Sequence, residues 1–328
     1  MVIDILVRRL LALPAGLPGY LEIIRQFRAS KVAIVMYHGV TDHPPAVFNW
    51  CQLKADEFAR QIDFLADFYT VLHLDEVVVR LQRGHHLPAR TACVTFDDGF
   101  RNVATTAFPI LQRRQIPSTV FLVTSLVGTR QPAWPDRLYW RVANSTRDTV
   151  KFNNAEYRLR SNDDRATAYR CLVEQIKRLE LAEREDRLAE LAQALGDFRV
   201  HPESVVATLD WNEVDELART GLVRFGSHTH THPILSRCPV DAQRKELEMS
   251  RDILRERGQS AGLFAYPNGG PADFTTDTQR LLRELGYDCG LTTIPGLNGP
   301  DADLFALRRI NVGAGTLGRQ FRQRMAGL

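Results

Sequence analysis

Short apolar runs recur along the chain, and segments with helical spacing separate them. The seven runs are residues 32–36, 91–96, 119–123, 223–226, 263–266, 290–293 and 307–310. Continuous apolar strands of this kind are typical of a parallel sheet that is buried on both faces. Between the first two runs, Phe58, Ile62 and Leu65 fall at helical intervals. Because strand and helix alternate about seven times, the pattern predicts an α/β protein built as a βα-repeat barrel.

One long stretch, residues 130–209, departs from this alternation. Its apolar residues lie on two helical faces, Tyr169, Leu172, Ile176 and Leu179 on one and Leu188, Leu191 and Leu195 on the other. Amphipathic spacing predicts a helical insertion that packs on the barrel, and binding to a partner is the alternative. We expect the barrel with its insertion to span residues 31–315, after an N-terminal helical segment (1–30) and before a C-terminal tail (316–328).

The N-terminal segment does not have the order of a secretory signal, because Arg8 and Arg9 interrupt its apolar residues and several prolines and glycines follow. It is also too short and too charged to span a bilayer. We favour a helical lid on the barrel, and the alternative is an interfacial helix in peripheral contact with a membrane. The expected location is cytoplasmic, with membrane association as the alternative.

Composition narrows the functional classes. The formal net charge of +3 and the absence of a long lysine or arginine run give no sign of a nucleic-acid partner. The five cysteines are scattered, and no two of them form a CxxC pair. This usage predicts free thiols in a reducing compartment, and it excludes a thiolate zinc site.

Two adjacent carboxylates, Asp97 and Asp98, end the second apolar run and precede Gly99. Parallel barrels place their active sites at the carboxyl ends of their strands. Neighbouring side chains should diverge there, so that one carboxylate can bind a metal while the other faces a substrate. The alternative is an Asp-Asp-Gly surface turn.

Three histidines in five residues follow the run at 223–226. One helical turn would bring His228 and His232 to one side, whereas His230 should point elsewhere as a hydrogen-bonded structural residue. Two histidines and one carboxylate form a common open zinc site, with positions left for water and substrate. A third strand end, at residues 264–270, leads into a tight turn that can present a backbone N–H to a developing oxyanion.

Together and in this order, these segments resemble the polysaccharide deacetylase family, also called the NodB-homology or carbohydrate esterase family 4 group. The resemblance covers residues 32–312 except the insertion, and its clearest motifs are TFDDG and HTHTH. It implies a distorted (β/α)7 barrel in which Asp97 is the catalytic base. It also implies that Asp98, His228 and His232 hold a divalent metal, for which zinc is the first candidate.

Two departures from the family pattern stand out. Ala265 replaces the usual arginine of the third motif and Asn268 ends that motif, so that Pro267 and the turn alone are retained. No histidine follows His232, and the last family motif is therefore missing. The form FAYP nevertheless resembles the branch that acts on exopolysaccharide N-acetylglucosamine, in which His38 would belong to a second shared motif. Asn268 and Pro267 are expected to form the oxyanion and substrate-binding turn.

Two further residues are candidates for the active site. Arg308 and Arg309 lie side by side on a late strand and must point to opposite faces. Because relatives with this strand ending look similar there, the resemblance implies that Arg309 orients Asp97, and the alternative is that both arginines face solvent. His38 ends the first buried strand on the barrel face that carries Asp97, and it is our candidate for the general acid. The alternative is that His38 only hydrogen-bonds a loop.

The resemblance implies a hydrolase of carbon–nitrogen bonds other than peptide bonds. Its substrate would carry an N-acetyl group on an amino-sugar polysaccharide or a glycolipid-linked sugar. One alternative is a non-catalytic carbohydrate-binding barrel, which the missing arginine and the missing late histidine favour. The other is a related amide hydrolase, such as a deformylase acting on a lipid-linked sugar.

Overall fold

The computed structural model describes residues 30–196, 200–201 and 203–327. The strands in this part of the chain are β1 (Ala33–Tyr37), β2 (Gly39–Thr41), β3 (Gln52–Lys54), β4 (Thr70–Val71), β5 (Thr91–Phe96), β6 (Ser118–Leu122), β7 (Thr149–Phe152), β8 (Ala155–Arg158), β9 (Val223–Ser227), β10 (Leu291–Pro295) and β11 (Leu307–Asn311). The α-helices are α1 (Ala55–Phe68), α2 (Leu74–Gln82), α3 (Phe108–Arg113), α4 (Trp134–Asn144), α5 (Asn162–Ile176), α6 (Leu181–Leu195), α7 (Trp211–Arg219), α8 (Val240–Glu256), α9 (Thr276–Glu284) and α10 (Gly318–Met325).

A parallel sheet closes on itself at the centre of the molecule. Six strands follow one another in the order β10, β11, β1, β5, β6 and β9, and β4 pairs with the start of β5. Two parallel bridges, Ser227 with Phe264 and Ala265 with Leu291, connect β9 to β10 through the segment at 263–266. The α/β barrel is therefore confirmed, with seven strand segments around the ring. The predicted strand at 263–266 consists of these two bridges, since β9 and β10 each pair with one residue of the segment.

Side-chain alternation explains why the strands are apolar throughout. Ile34, Cys93 and Leu307 belong to one buried cluster, whereas Val35 and Ile310, which lie one and three residues further along their strands, belong to the cluster that contains the buried residues of α1. Successive side chains of a strand point to opposite faces, so one set fills the barrel and the other packs under the helices. Polar residues that continue the inner set at the carboxyl ends of the strands consequently meet at one mouth of the barrel.

The insertion is not purely helical, which corrects the prediction for residues 130–209. It contains α4, α5 and α6, but β7 and β8 form an antiparallel hairpin between them. The turn residues Asn153 and Asn154 have φ angles of 47° and 61°, and asparagine tolerates this left-handed region. Many buried side chains of the insertion, including Trp134, Phe152 and Leu172, form one cluster, which also contains Ile234 from outside the insertion.

The C-terminal end of the chain differs from expectation. The predicted tail at 316–328 contains α10, whose Phe321 and Met325 pack in the main core, because its apolar residues share one helical face. The predicted N-terminal segment at 1–30 lies outside the described residues, except for residue 30. None of the described helices combines the length and the apolar character needed to cross a membrane. All five cysteines are free, as predicted.

Candidate functional site

The two adjacent carboxylates diverge at the end of β5. Asp97 still donates its backbone N–H to the carbonyl of Tyr37 at 3.0 Å, so its side chain continues the inner set of the barrel. Asp98 then has a φ of 67°, and Gly99 has a φ of 65°. A Cβ on Gly99 would lie 2.7 Å from the Leu122 side chain, which explains the glycine at this turn. The predicted separation of the two carboxylates therefore has a backbone cause.

Asp98, His228 and His232 converge at the mouth of the barrel. The Oδ1 atom of Asp98 lies 3.5 Å from Nε2 of His228 and 3.3 Å from Nε2 of His232. One potential ligand atom from each residue lies within 4.8 Å of the other two, and all three residues are buried. Apart from these histidine contacts, Oδ1 of Asp98 is a buried oxygen with no hydrogen-bond partner, which is rare in folded proteins. Two nitrogens and one such oxygen fit a divalent metal with open positions.

The histidine motif reaches this geometry without a helix, so the predicted helical turn is wrong. Residues 228–232 form a loop in which Thr229 and His232 have φ angles of 66° and 62°. The two left-handed residues bring the rings of His228 and His232 to a centroid distance of 4.9 Å. The N–H groups of residues 229–232 bond to side chains instead of to helical carbonyls: that of His232 donates to the hydroxyl of Thr229 at 3.0 Å.

A carboxylate of helix α8 holds the same loop from outside. Glu246 accepts hydrogen bonds from the backbone N–H groups of His230 at 2.9 Å and Thr231 at 2.8 Å, and from the Thr231 hydroxyl at 2.6 Å. Sequence reasoning missed Glu246, because an acidic residue on a surface helix carries no distinguishing signal. His230 lies outside the candidate ligand group, with Nδ1 3.1 Å from the hydroxyl of Thr124, as expected for a structural histidine.

The surroundings of His228 favour a neutral ring with an unprotonated Nε2 atom. Its Nδ1 lies 2.7 Å from the carbonyl oxygen of Ala265, so an N–H at this position donates to that carbonyl and leaves Nε2 as an acceptor. Burial lowers the pKa of His228 to about 4, so the ring is uncharged at neutral pH. Burial alone would raise the pKa of Asp98, but the contact with His232 and the nearby histidine charges outweigh it and hold that pKa well below its usual value.

Arg309 forms a two-pronged contact with Asp97. Its two terminal nitrogens donate to Oδ1 and Oδ2 of Asp97, each at 2.7 Å, and its Nε donates to the carbonyl of Thr292 at 2.7 Å. Both side chains are buried. Burial alone would raise the pKa of Asp97, but the charge and the hydrogen bonds of Arg309 outweigh it and lower the pKa. Arg308 is exposed, so the two arginines point to opposite faces.

His38 and Asn268 also line the cavity over the candidate metal site, which has a volume of about 310 Å³. Nε2 of His38 lies 3.9 Å from Oδ2 of Asp98, and its Nδ1 is buried without a partner. Asn268 has a φ of 59°, and its buried Nδ2 has no partner. Pro267, predicted to be part of the substrate-binding turn, does not line the cavity. Its carbonyl accepts a hydrogen bond from the N–H of Gly269 at 2.7 Å, so Pro267 shapes the turn through its backbone.

One wall of this cavity comes from the insertion, a contribution that sequence reasoning missed. The insertion residues on this wall are Pro135, Asp136, Tyr169, Val173 and Lys177. The exposed Trp50, on the loop before β3, lines the cavity as well. The residues Ala133-Trp134-Pro135-Asp136 indicate the start of a helix, because a proline is followed by an acidic residue. They do not indicate that this helix lies beside the cavity.

Comparisons with known proteins agree with this fold. The sequence profile described as polysaccharide deacetylase matches residues 84–290, more than half of the chain. YxkH of Bacillus subtilis (strain 168), which is named for the same family, is 20% identical over 300 residues, covering 91% of this chain and 77% of YxkH. The deacetylase PplD of Streptococcus pyogenes, solved with acetate, superposes with a TM-score of 0.61 at 21% identity, over 90% of this chain and 98% of PplD. IcaB of Ammonifex degensii superposes with a TM-score of 0.59 at 20% identity, over 91% of this chain and 98% of IcaB. The chain belongs to the polysaccharide deacetylase family.

Proposed function

We propose that this protein is a metal-dependent hydrolase that removes the N-acetyl group from an amino sugar in a polysaccharide or a glycolipid. The observation that carries the proposal is the buried Oδ1 atom of Asp98, which faces the Nε2 atoms of His228 and His232 and has no other partner. The family supports de-N-acetylation of polysaccharide. The metal requirement, the residue roles and the finer substrate are our proposal.

Asp98, His228 and His232 would hold the metal, with zinc as the first candidate. When bound, a divalent metal supplies Lewis acidity that polarises an amide carbonyl and lowers the pKa of water. Asp97 acts as the general base for the attacking water. Arg309 occupies one lone pair on each oxygen of Asp97, and a carboxylate has lone pairs to spare for a water molecule.

The developing oxyanion and the leaving amine need two further groups. No described residue accepts a hydrogen bond from the backbone N–H of Asn268, which is therefore free to stabilise an oxyanion. His38 donates the proton to the leaving amine, because it is the histidine of the cavity that lies outside the candidate ligand group. Its unpartnered Nδ1 supports this role. Arg309 also supports catalysis over a non-catalytic barrel, because it brings to Asp97 the guanidinium missing at Ala265.

The test is an assay of acid release by the purified protein, after metal removal and after reconstitution. Chito-oligomers, β-1,6-linked N-acetylglucosamine oligomers and lipid-linked N-acetyl and N-formyl sugars are offered in parallel, and released acetate and formate are quantified separately. We expect metal-dependent release of acetate from at least one amino sugar. Release of formate alone would establish the deformylase alternative, and binding of these sugars without release of either acid would refute a hydrolase.

A further inference from the structure

Asp136, in the first turn of α4, is a buried acid for which the proposed reaction has no use. It is 5% exposed, and it lines the same cavity as Asp98 and the two histidines. Its carboxylate lies close to its own backbone N–H, and no other described residue forms a hydrogen bond or an ion pair with it. An acidic side chain without a partner is costly to bury. The insertion therefore holds the Asp136 carboxyl group in the wall of the substrate cavity, although its burial costs free energy.

The position of Asp136 is fixed relative to the metal-site loop. Two residues earlier, the indole N–H of Trp134 donates to the backbone carbonyl of His232 at 3.2 Å. One turn later, the hydroxyl of Tyr139 donates to the carbonyl of Val47 at 2.8 Å. Both side chains are buried, so they tie the start of α4 to two sides of the barrel mouth. A carboxylate held in this way is pre-organised for a ligand in the cavity.

Structural explanations do not account for Asp136. It is not in the group of possible metal ligands formed by Asp98, His228 and His232. It does not cap its helix, because the backbone N–H of the N-cap residue, Ala133, donates no hydrogen bond to its carboxylate. An acidic residue in the first turn does interact favourably with the helix dipole, but this interaction does not require burial. Asp163 occupies the equivalent turn of α5 and is exposed.

We infer that Asp136 is a specificity-determining residue that hydrogen-bonds a ring hydroxyl of the sugar whose acetamide is hydrolysed. The inference rests on the proposed function. A sugar hydroxyl both donates and accepts, so it can pair with the carboxyl group in either protonation state. Burial, followed by the charge of Asp98, raises the pKa of Asp136, which makes a partner of this kind more suitable than one that requires a full negative charge. A site built around a substrate hydroxyl rejects analogues that lack it.

The experiment combines variants with substrate analogues. Asp136→Ala, Asp136→Asn and the control Asp163→Ala are assayed on the accepted oligomer and on analogues that lack one ring hydroxyl each. We expect Asp136→Ala to reduce kcat/KM roughly 10- to 100-fold, because it leaves a buried sugar hydroxyl without its partner. Asp136→Asn should lose less, because an amide still bonds a hydroxyl, and Asp163→Ala should behave as the wild type. On one deoxy analogue, wild type and Asp136→Ala should be equal.

Thermal stability and metal content distinguish specificity from structure. Removing an unpaired buried acid should leave the Tm of Asp136→Asn unchanged or higher, with bound metal unaltered, whereas a structural role predicts a lower Tm. The inference is overturned if Asp136→Ala loses the same factor on every deoxy analogue, or if Tm falls together with activity. Absence of acid release by the wild-type protein from any amino sugar would overturn the proposed function itself, and the inference with it.

Discussion

Arg309 and Asp97 form a buried, two-pronged ion pair across the interior of the barrel, with both hydrogen bonds at 2.7 Å. The residues come from β11 and from the end of β5, the two neighbours of β1 in the sheet. Parallel hydrogen bonds of this geometry fix the direction of a carboxylate as well as its charge. Each partner compensates a charge that the interior could not otherwise hold, so neither can be removed alone without cost.

The first prediction concerns this pair. Arg309→Ala should lower the free energy of unfolding by about 3–5 kcal/mol, because it leaves Asp97 buried and uncompensated. It should also reduce kcat roughly 100-fold or more, the cost of a misplaced catalytic group. Burial then acts on Asp97 without the arginine, so the pKa of Asp97 rises and the acid limb of the pH–rate profile moves to higher pH. The exposed neighbour Arg308→Ala is the control, and equal turnover in both variants would contradict the positioning role.

The position of Arg309 illustrates what the sequence can predict. Strand alternation and the location of active sites at carboxyl strand ends are local rules, and they predict that one of Arg308 and Arg309 faces the barrel interior and that Asp97 lies at one mouth of the barrel. The choice of Arg309 over Arg308 needed the resemblance to the family. These local rules do not predict the loop of His228 and His232, because its left-handed residues are held by hydrogen bonds to a carboxylate of α8. The contribution of α4 depends on a contact between residues 98 positions apart. Such long-range contacts leave no periodic signal in the sequence.

The second prediction separates the three histidines of the motif. Asp98→Ala, His228→Ala and His232→Ala should each lose bound metal together with activity, because each removes one of three candidate ligands. His230→Ala should retain most of both, since its ring contacts Thr124 instead. Elemental analysis of the purified variants after dialysis against the metal provides the measurement. Comparable metal loss in all four variants would rule out this division of roles.

The third prediction concerns the loop that carries the two histidines. Glu246→Gln disrupts the three hydrogen bonds from residues 230 and 231, because they use both carboxylate oxygens, whereas an amide has one oxygen, which is a poorer acceptor. We expect metal affinity to fall roughly 10- to 100-fold, as is usual for groups that support metal ligands. Glu248→Gln is the control, because Glu248 lies two residues along the same helix and forms a salt bridge with Arg244 instead. Unchanged metal affinity in competition titrations would show that the loop holds its shape without Glu246.

The fourth prediction links His228 to acid stability in the metal-free protein. Its pKa of about 4 in the folded state lies below the unfolded value of about 6.5. The unfolded chain therefore takes up the proton first, and the free energy of unfolding should fall by about 3 kcal/mol between these two pH values. His228→Gln should flatten this part of the profile, whereas the exposed His43→Gln should not. Denaturant unfolding at several pH values measures the slope, and identical slopes in the three proteins would exclude His228 as its source.

The last prediction tests His38 as the proton donor. His38→Ala should bind metal as the wild type does, because His38 is outside the candidate ligand group. It should nevertheless lose roughly 10²–10⁴-fold in rate, the usual contribution of a positioned acid. The alkaline limb of the pH–rate profile should disappear with it, since that limb reports loss of the proton from the acid. His43→Ala controls for removing an exposed histidine nearby. A strongly activated amine departs without needing a proton from a general acid. An activated anilide analogue should therefore be hydrolysed by wild type and His38→Ala at more similar rates. If the alkaline limb persists in His38→Ala, the proton must come from another group.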